Sequence, residues 1–266
     1  MNDPARLDDA DTGADLERRF GALRRLYGEA GYARLRAARI AVVGLGGVGS
    51  WTAEALARSG VAGLVLIDFD HVAESNINRQ VQALGATLGQ AKGEALRARI
   101  ADIHPGCEVT LVDAFVTPEN WPALLPRPVD ALVDACDQLP AKQALAAWAL
   151  ATQARFVGVG AAGGKRQAER VALADLADTT HDPLLAVLRR RLRQAGAMPR
   201  QGRSGLRCVY STEAVAPPWT SCDEPARHDG RLSCHGYGSS VTVTATFGLV
   251  AAGEVIAQLL APAGPA

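Results

Sequence analysis

The chain has 266 residues, 48% of them hydrophobic, and its 28 basic side chains are balanced by 28 acidic ones. That is enough chain for a substantial core in one large domain or two small ones. Five scattered cysteines (Cys107, Cys136, Cys208, Cys222, Cys234) form no CxxC pair and read as reduced thiols in a cytoplasmic protein rather than as a disulfide framework.

Residues 1–15 are acidic and polar, so they read as a frayed tail and not as a signal peptide. Leu16 to Ala38 has the pattern of a helix, with leucines and tyrosines on one side and arginines between. An apolar run, Ile40 to Val43, reads as a buried strand and meets Gly44, Gly46, Gly47 and Gly49 at once. An alanine-rich helical stretch and a second apolar run, Leu64 to Ile67, complete a βαβ unit closing on Asp68. Glycines at that turn let backbone N–H groups approach a phosphate at the helix N-terminus, and Asp68 is placed to accept from ribose hydroxyls. The unit alone does not distinguish NAD, FAD and ATP.

His71 to Leu88 is polar and aperiodic, and Gln90 to His104 is a helix stopped by Pro105. Strands follow at Val109–Val112, Val129–Val133 and Phe156–Val159, with helical stretches at Glu119–Leu125 and Leu139–Thr152 between them. The alternation predicts a Rossmann-like α/β fold: a mostly parallel sheet with helices on both faces. Beyond Lys165 come a strand at Arg170–Leu173, a helix at Pro183–Ala195, a strand at Leu206–Ser211 and a long crossing loop at Ala216–Ser233. Nothing marks a linker, so residues 16–262 read as one domain with an elaborated C-terminal third. Val241–Leu260 is long enough for a membrane span, but its threonines, glycines and Glu254 favour a buried helix on the sheet. Membrane association through that stretch is the alternative.

Three features carry chemistry beyond the glycine turn. A polar cluster, Asp68 and Asp70 followed by Asn76, Asn78, Arg79 and Gln80, suits a triphosphate better than a dinucleotide. Lys92 opens a helix, where its ammonium reaches a β- or γ-phosphate. Asp134 and Asp137 end the fourth strand, at the sheet edge where ligands bind and where a carboxylate holds Mg²⁺ on phosphates. The structural alternatives are a solvated loop arginine, a first-turn lysine and a helix cap.

In this order, GLGGVGSWTAEALARSG, LIDFD, SNINRQ, GQAK and DACDQ resemble the ubiquitin-activating-enzyme-like (ThiF/MoeB/HesA) superfamily. RRFGALRRLYGEAG, IHPGCEV, HDPLLAVLRRRL, CVYSTEA and GSSVTVTATFG extend the resemblance from Arg18 to Leu260. They make it similar to the tRNA threonylcarbamoyladenosine dehydratase branch.

The resemblance implies an ATP-binding fold in which Gly44, Gly46, Gly47 and Gly49 form the phosphate loop and Asp68 takes the ribose. Asn78, Arg79 and Lys92 contact phosphates and Asp137 holds Mg²⁺; Asp70, Asn76 and Gln80 are further binding candidates. It implies adenylation of the threonyl carboxylate, then ring closure by the carbamoyl oxygen with loss of AMP. It also implies a homodimer in which Arg19 or Arg25 reaches the partner's ATP, a monovalent cation, and a sulfur-transfer or desulfurase partner. The paired CxxC zinc site of sulfur-carrier-activating relatives is missing, and Cys222 and Cys234 read as structural, with acyl-accepting thiols as the alternative. A tRNA substrate needs a basic surface, and residues 155–207 hold eleven Lys and Arg against four Asp and Glu, Arg189–Arg191 among them. The rival readings are adenylation of a ubiquitin-like sulfur carrier, a nucleotide-binding scaffold without turnover, and, more distantly, an NAD dehydrogenase.

Overall fold

The computed structural model describes residues 14–217 and 237–261. The N-terminal tail up to residue 13, Cys222, Cys234 and most of the crossing loop lie outside the described residues. In chain order the elements are α1 (Leu16–Ala37), β1 (Arg39–Val43), α2 (Gly49–Arg58), β2 (Gly63–Ile67), α3 (Lys92–Ile103), β3 (Glu108–Val112), β4 (Ala131–Asp134) and α4 (Leu139–Thr152). Then come β5 (Phe156–Val159), β6 (Val171–Asp175), α5 (Pro183–Gln194), β7 (Arg207–Ser211) and α6 (Val241–Leu260).

Seven strands form one sheet in the order β3-β2-β1-β4-β5-β7-β6, parallel throughout except for the antiparallel pair β6 and β7. Strand alternation divides the core in two. Ile40, Val42, Leu64, Leu66 and Val133 face α1, α2, α3 and α6, while Ala41, Val43, Val65, Ile67 and Leu132 face α4 and α5. The expected doubly covered sheet is what the chain forms.

α1 begins where the Asp15 carboxylate accepts the Arg18 N–H at 2.9 Å, and Gly28, at φ +72°, kinks it. α6 lies on the sheet and against α2, with Val243, Phe247, Ala251 and Val255 fully buried. It is long and apolar enough to cross a membrane, with a mean hydropathy of 1.6, yet half of that window is covered by the rest of the chain. One helical expectation fails: Glu119–Leu125 forms turns. Trp121 N–H reaches Thr117 O and Leu124 N–H reaches Asn120 O, but Pro122 has no N–H to continue the ladder. The polar His71–Leu88 segment holds two short 3₁₀ turns, Glu74–Asn76 and Gly85–Thr87, which bring Arg79 and Gln80 under the sheet edge.

Candidate nucleotide-binding site

β1 and β4 are neighbours whose chains depart in opposite directions, to α2 and to α4. The crevice this leaves at their carboxyl ends is where open α/β sheets bind ligands. Gly44 ends β1 at φ +85°, and a Cβ there would stand 2.9 Å from the Ala135 and Cys136 backbone. A Cβ at Gly49 would stand 1.8 Å from the Gly44 carbonyl oxygen. The loop is therefore closed on itself and on β4. Gly46 differs: it lines the cavity, and a Cβ there would meet nothing within 4 Å. α2 starts from Val48 without a side-chain cap; the Ser50 N–H is spent on Gly46 O at 3.1 Å, and the helix dipole with the remaining first-turn N–H groups suits an anion.

The cavity over this loop has a volume of about 1000 Å³. Asp68 binds the loop from below: one carboxylate oxygen accepts the Leu45 N–H at 2.5 Å and the other the Asp70 N–H at 2.8 Å. Lys92, at the first position of α3, is 6% exposed and pairs with Asp70 at 2.8 Å. Arg79 is 7% exposed, and one terminal nitrogen of its guanidinium donates to Ser75 O at 2.5 Å and Asn78 Oδ1 at 2.8 Å. Both cations line the cavity, as do Gln80 and Asp137. The Asp137 side chain is exposed at the rim. Among the described residues no group of three or more His, Cys, Asp or Glu gathers around a metal position. A lone carboxylate beside a phosphate cradle suits Mg²⁺, which is bound by one or two carboxylates with phosphate oxygens and water.

Asp134 is not a second metal candidate. It is fully buried and bonded to Lys142, also fully buried, at 2.8 Å. Lys142 Nζ donates as well to Val159 O at 2.8 Å, so the pair joins the ends of β4 and β5 directly under the Asp137 turn. Burial pulls the Lys142 ammonium down, but the Asp134 carboxylate outweighs it and the pKa lies above the ordinary lysine value. The same carboxylate receives the Cys136 thiol at 3.0 Å. Burial first, then Asp134, raise the Cys136 pKa well above normal, which leaves an inert protonated thiol at the cavity wall. Lys142 escaped the sequence reading, although it is the single charge in LPAKQALAAWALAT, a pattern that demands a buried partner. Gly160, Ala161, Leu184 and Val187 form a further apolar wall that no motif announced. Behind it Asp182 caps α5 and accepts the Ala161 N–H at 2.8 Å; burial raises its pKa.

Several expected site residues stand elsewhere. Asn76 is 4% exposed and uses its Oδ1 to accept the Ala73 N–H, and Asn78 spans Arg79 and Ser239 O; neither lines the cavity. Gly49 packs behind the loop. Arg19 donates to Asp102 O and Ile103 O at the far end of α3, about 16 Å from Lys92 at 1.5 Å per residue. Arg25 is exposed. In the basic segment Lys165 is buried on His181 O and Glu213 O, and Arg189 is tied to Leu176 O at 3.0 Å and Thr179 O at 2.9 Å. Arg166, Arg170, Arg190, Arg191 and Arg200 are exposed.

Comparison with known proteins fits this geometry. The ThiF family model matches residues 20–265. The chain is 42% identical over 253 residues to the tRNA threonylcarbamoyladenosine dehydratase of Escherichia coli, covering 92% of this chain and 94% of that one. It is 39% identical over 249 residues to the protein of the same name from Haemophilus influenzae, covering 92% and 95%. A crystal structure of the E. coli tRNA N6-threonylcarbamoyladenosine dehydratase in complex with ATP superposes with a TM-score of 0.82, at 39% identity, over 92% of this chain and 96% of that one.

Proposed function

The chain belongs to the ThiF family, and from that premise we propose that it uses ATP to dehydrate threonylcarbamoyladenosine in tRNA. The observation that carries this reading is the joining of an uncapped helix N-terminus, Arg79, Lys92 and Asp137 around one cavity. Relatives of matching length and 42% and 39% identity bear the corresponding name.

A carboxylate is a poor electrophile because its leaving group would be oxide. Its oxygen attacks the α-phosphorus of ATP, the bond to pyrophosphate breaks, and an acyl adenylate forms. The carbamoyl group beside it then attacks the acyl carbon and expels AMP, so the ring closes with the net loss of one water. Closure is intramolecular, for which orientation alone supplies effective molarities of about 10⁵ M or more. The protein's work is therefore positioning and charge. The α2 N-terminus and Gly46 receive phosphate oxygens, Arg79 and Lys92 neutralise the charge that builds on pyrophosphate, and Asp68 supports the loop while offering its edge to ribose. Lys92 leaves Asp70 to make its contact. Asp137 would hold Mg²⁺, which supplies further neutralisation on the phosphates.

The finer parts of the reading rest on the sequence resemblance: a homodimer, a sulfur-transfer or desulfurase partner, a monovalent cation, and a cytoplasmic site of action. In that dimer Arg25 is the better candidate to reach the partner's ATP, because Arg19 is spent on the end of α3. The test is AMP release from MgATP in the presence of tRNA bearing the modified nucleoside. The reading expects release to require that tRNA. A small carrier protein stimulating ATP–pyrophosphate exchange in its place would move the protein to the sulfur-carrier class, and NAD binding in preference to MgATP would refute both.

A further inference from the structure

Arg79 is held by more than its own turn. Its N–H donates to Asn76 O at 3.0 Å, and its carbonyl accepts the indole N–H of Trp51 at 3.0 Å and the Thr244 hydroxyl at 3.4 Å. Trp51 lies in the first turn of α2, immediately after the phosphate loop, and Thr244 in the first turn of α6. The Arg79 side-chain stem and Thr244 both stand over Gly47 of the phosphate loop. A Cβ at Gly47 would stand 3.3 Å from Arg79 Cγ and 3.2 Å from Thr244 Cγ2. The place for Trp51 is made by another glycine: a Cβ at Gly248 of α6 would come within 2.8 Å of Trp51 Cβ.

We propose that Trp51 is a positioning residue for the adenylation step, fixing Arg79 to the phosphate loop through its indole N–H, with Thr244 as a second, weaker tie. The guanidinium spends one terminal nitrogen on Ser75 and Asn78, and among the described residues its other donors have no hydrogen-bond partner. Where those donors point is set by the backbone from which the side chain springs, and misplacement of a charged group by about 1 Å costs up to about a hundredfold in rate. Trp51 ties that backbone to the helix whose N-terminus meets the same phosphates. The loop and the arginine thus form one rigid cradle and not two independent contacts. A tryptophan N–H donates and never accepts, so it suits a carbonyl at this place.

This inference rests on Arg79 contacting the phosphates, and the experiment separates the two claims. ATP affinity is measured by calorimetry for the full chain, for Trp51→Phe, for Arg79→Ala and for the double variant. Trp51→Phe keeps an aromatic ring and loses the N–H. The expected result is about a tenfold weaker ATP affinity for Trp51→Phe, with the melting point of the ligand-free protein within a few degrees of the parent. In the Arg79→Ala background the same change should cost nothing further, because a residue that acts through another is non-additive with it. If Trp51→Phe fails to fold, Thr244→Val, which removes the second hydroxyl tie and keeps the shape, is run through the same cycle with a two- to threefold loss expected. An unchanged affinity in the single variant, or an equal loss in both backgrounds, overturns the inference and leaves the site intact. Full ATP affinity in Arg79→Ala overturns the reading of Arg79 as a phosphate contact, and the inference falls with it.

Discussion

Each of the three lysines of this chain, Lys92, Lys142 and Lys165, is at least nine-tenths buried, while arginine fills the exposed basic positions. A compact ammonium suits the fully enclosed site between Asp134 and the Val159 carbonyl that Lys142 fills, although Arg79 shows that a guanidinium is also buried here. The glycines obey a similar economy. Gly46 and Gly49 sit three residues apart in one motif and do opposite things. Gly46→Ala adds a methyl group into open cavity, so the fold should persist, but the methyl occupies space a phosphate needs. Calorimetry should show ATP affinity weakened at least about tenfold, or about 1.4 kcal/mol. Gly49→Ala drives a Cβ into the Gly44 carbonyl at 1.8 Å, and its expected outcome is loss of soluble folded protein. Equal, mild effects from both would show that the loop has more freedom than its geometry allows.

The strands and most helices are legible in the sequence for a clear reason. Short apolar runs such as Ile40–Val43, rich in β-branched residues and bounded by glycine, suit strands buried on both faces, whereas the apolar run Val241–Leu260 is long enough for a helix. Asp68, Arg79, Lys92 and Asp137 line one cavity: Asp68 and Asp137 lie just past strands, Lys92 at a helix start, and Arg79 in the loop after the Glu74–Asn76 turn. What is illegible depends on hydrogen-bond partners that the sequence does not display, near or remote. Asn76 and Asn78 read as ligands because a polar loop does not reveal which side chains its own backbone consumes. The role of Lys142 depends on β5, which supplies the Val159 carbonyl. Lys142→Met should cost about 3–5 kcal/mol in urea denaturation, since Asp134 is left as a buried unpaired charge. A loss below about 1 kcal/mol would mean water reaches the pair.

The end of α3 carries a pH dependence. His104 is buried against Phe20, with Arg36 at 2.8 Å, and burial first and then the arginine push its pKa from 6.5 down to about 4. The unfolded chain binds this proton more readily than the native one. The contribution is therefore complete above pH 6.5 and is lost as pH falls toward 4, about 2 kcal/mol of it by roughly pH 5. Denaturation of the parent and of His104→Gln at a series of pH values should show this slope only in the parent. Parallel slopes would mean that His104 is not the group responsible.

At the scale of the whole molecule, a neutral chain must gather basic charge locally to hold tRNA. The segment 155–207 is rich in basic side chains, but the fold spends part of them: Lys165 and Arg189 bind carbonyls, and Arg207 pairs with Glu254 at 3.1 Å. Arg190 and Arg191, exposed on α5, are the better candidates for binding tRNA phosphates. Replacing both with serine should weaken tRNA binding and leave ATP binding unchanged. The log–log salt slope should fall by about 0.7–0.9 for each phosphate that is no longer neutralised. Superimposable lines would mean the two arginines merely face water. Chemistry at the tRNA itself decides the function. The most direct measurement is mass spectrometry of anticodon-loop nucleosides after tRNA is incubated with the protein and MgATP. The account predicts that threonylcarbamoyladenosine is replaced by a nucleoside lighter by one water, with one AMP formed per conversion. An unchanged nucleoside alongside ATP turnover would contradict it.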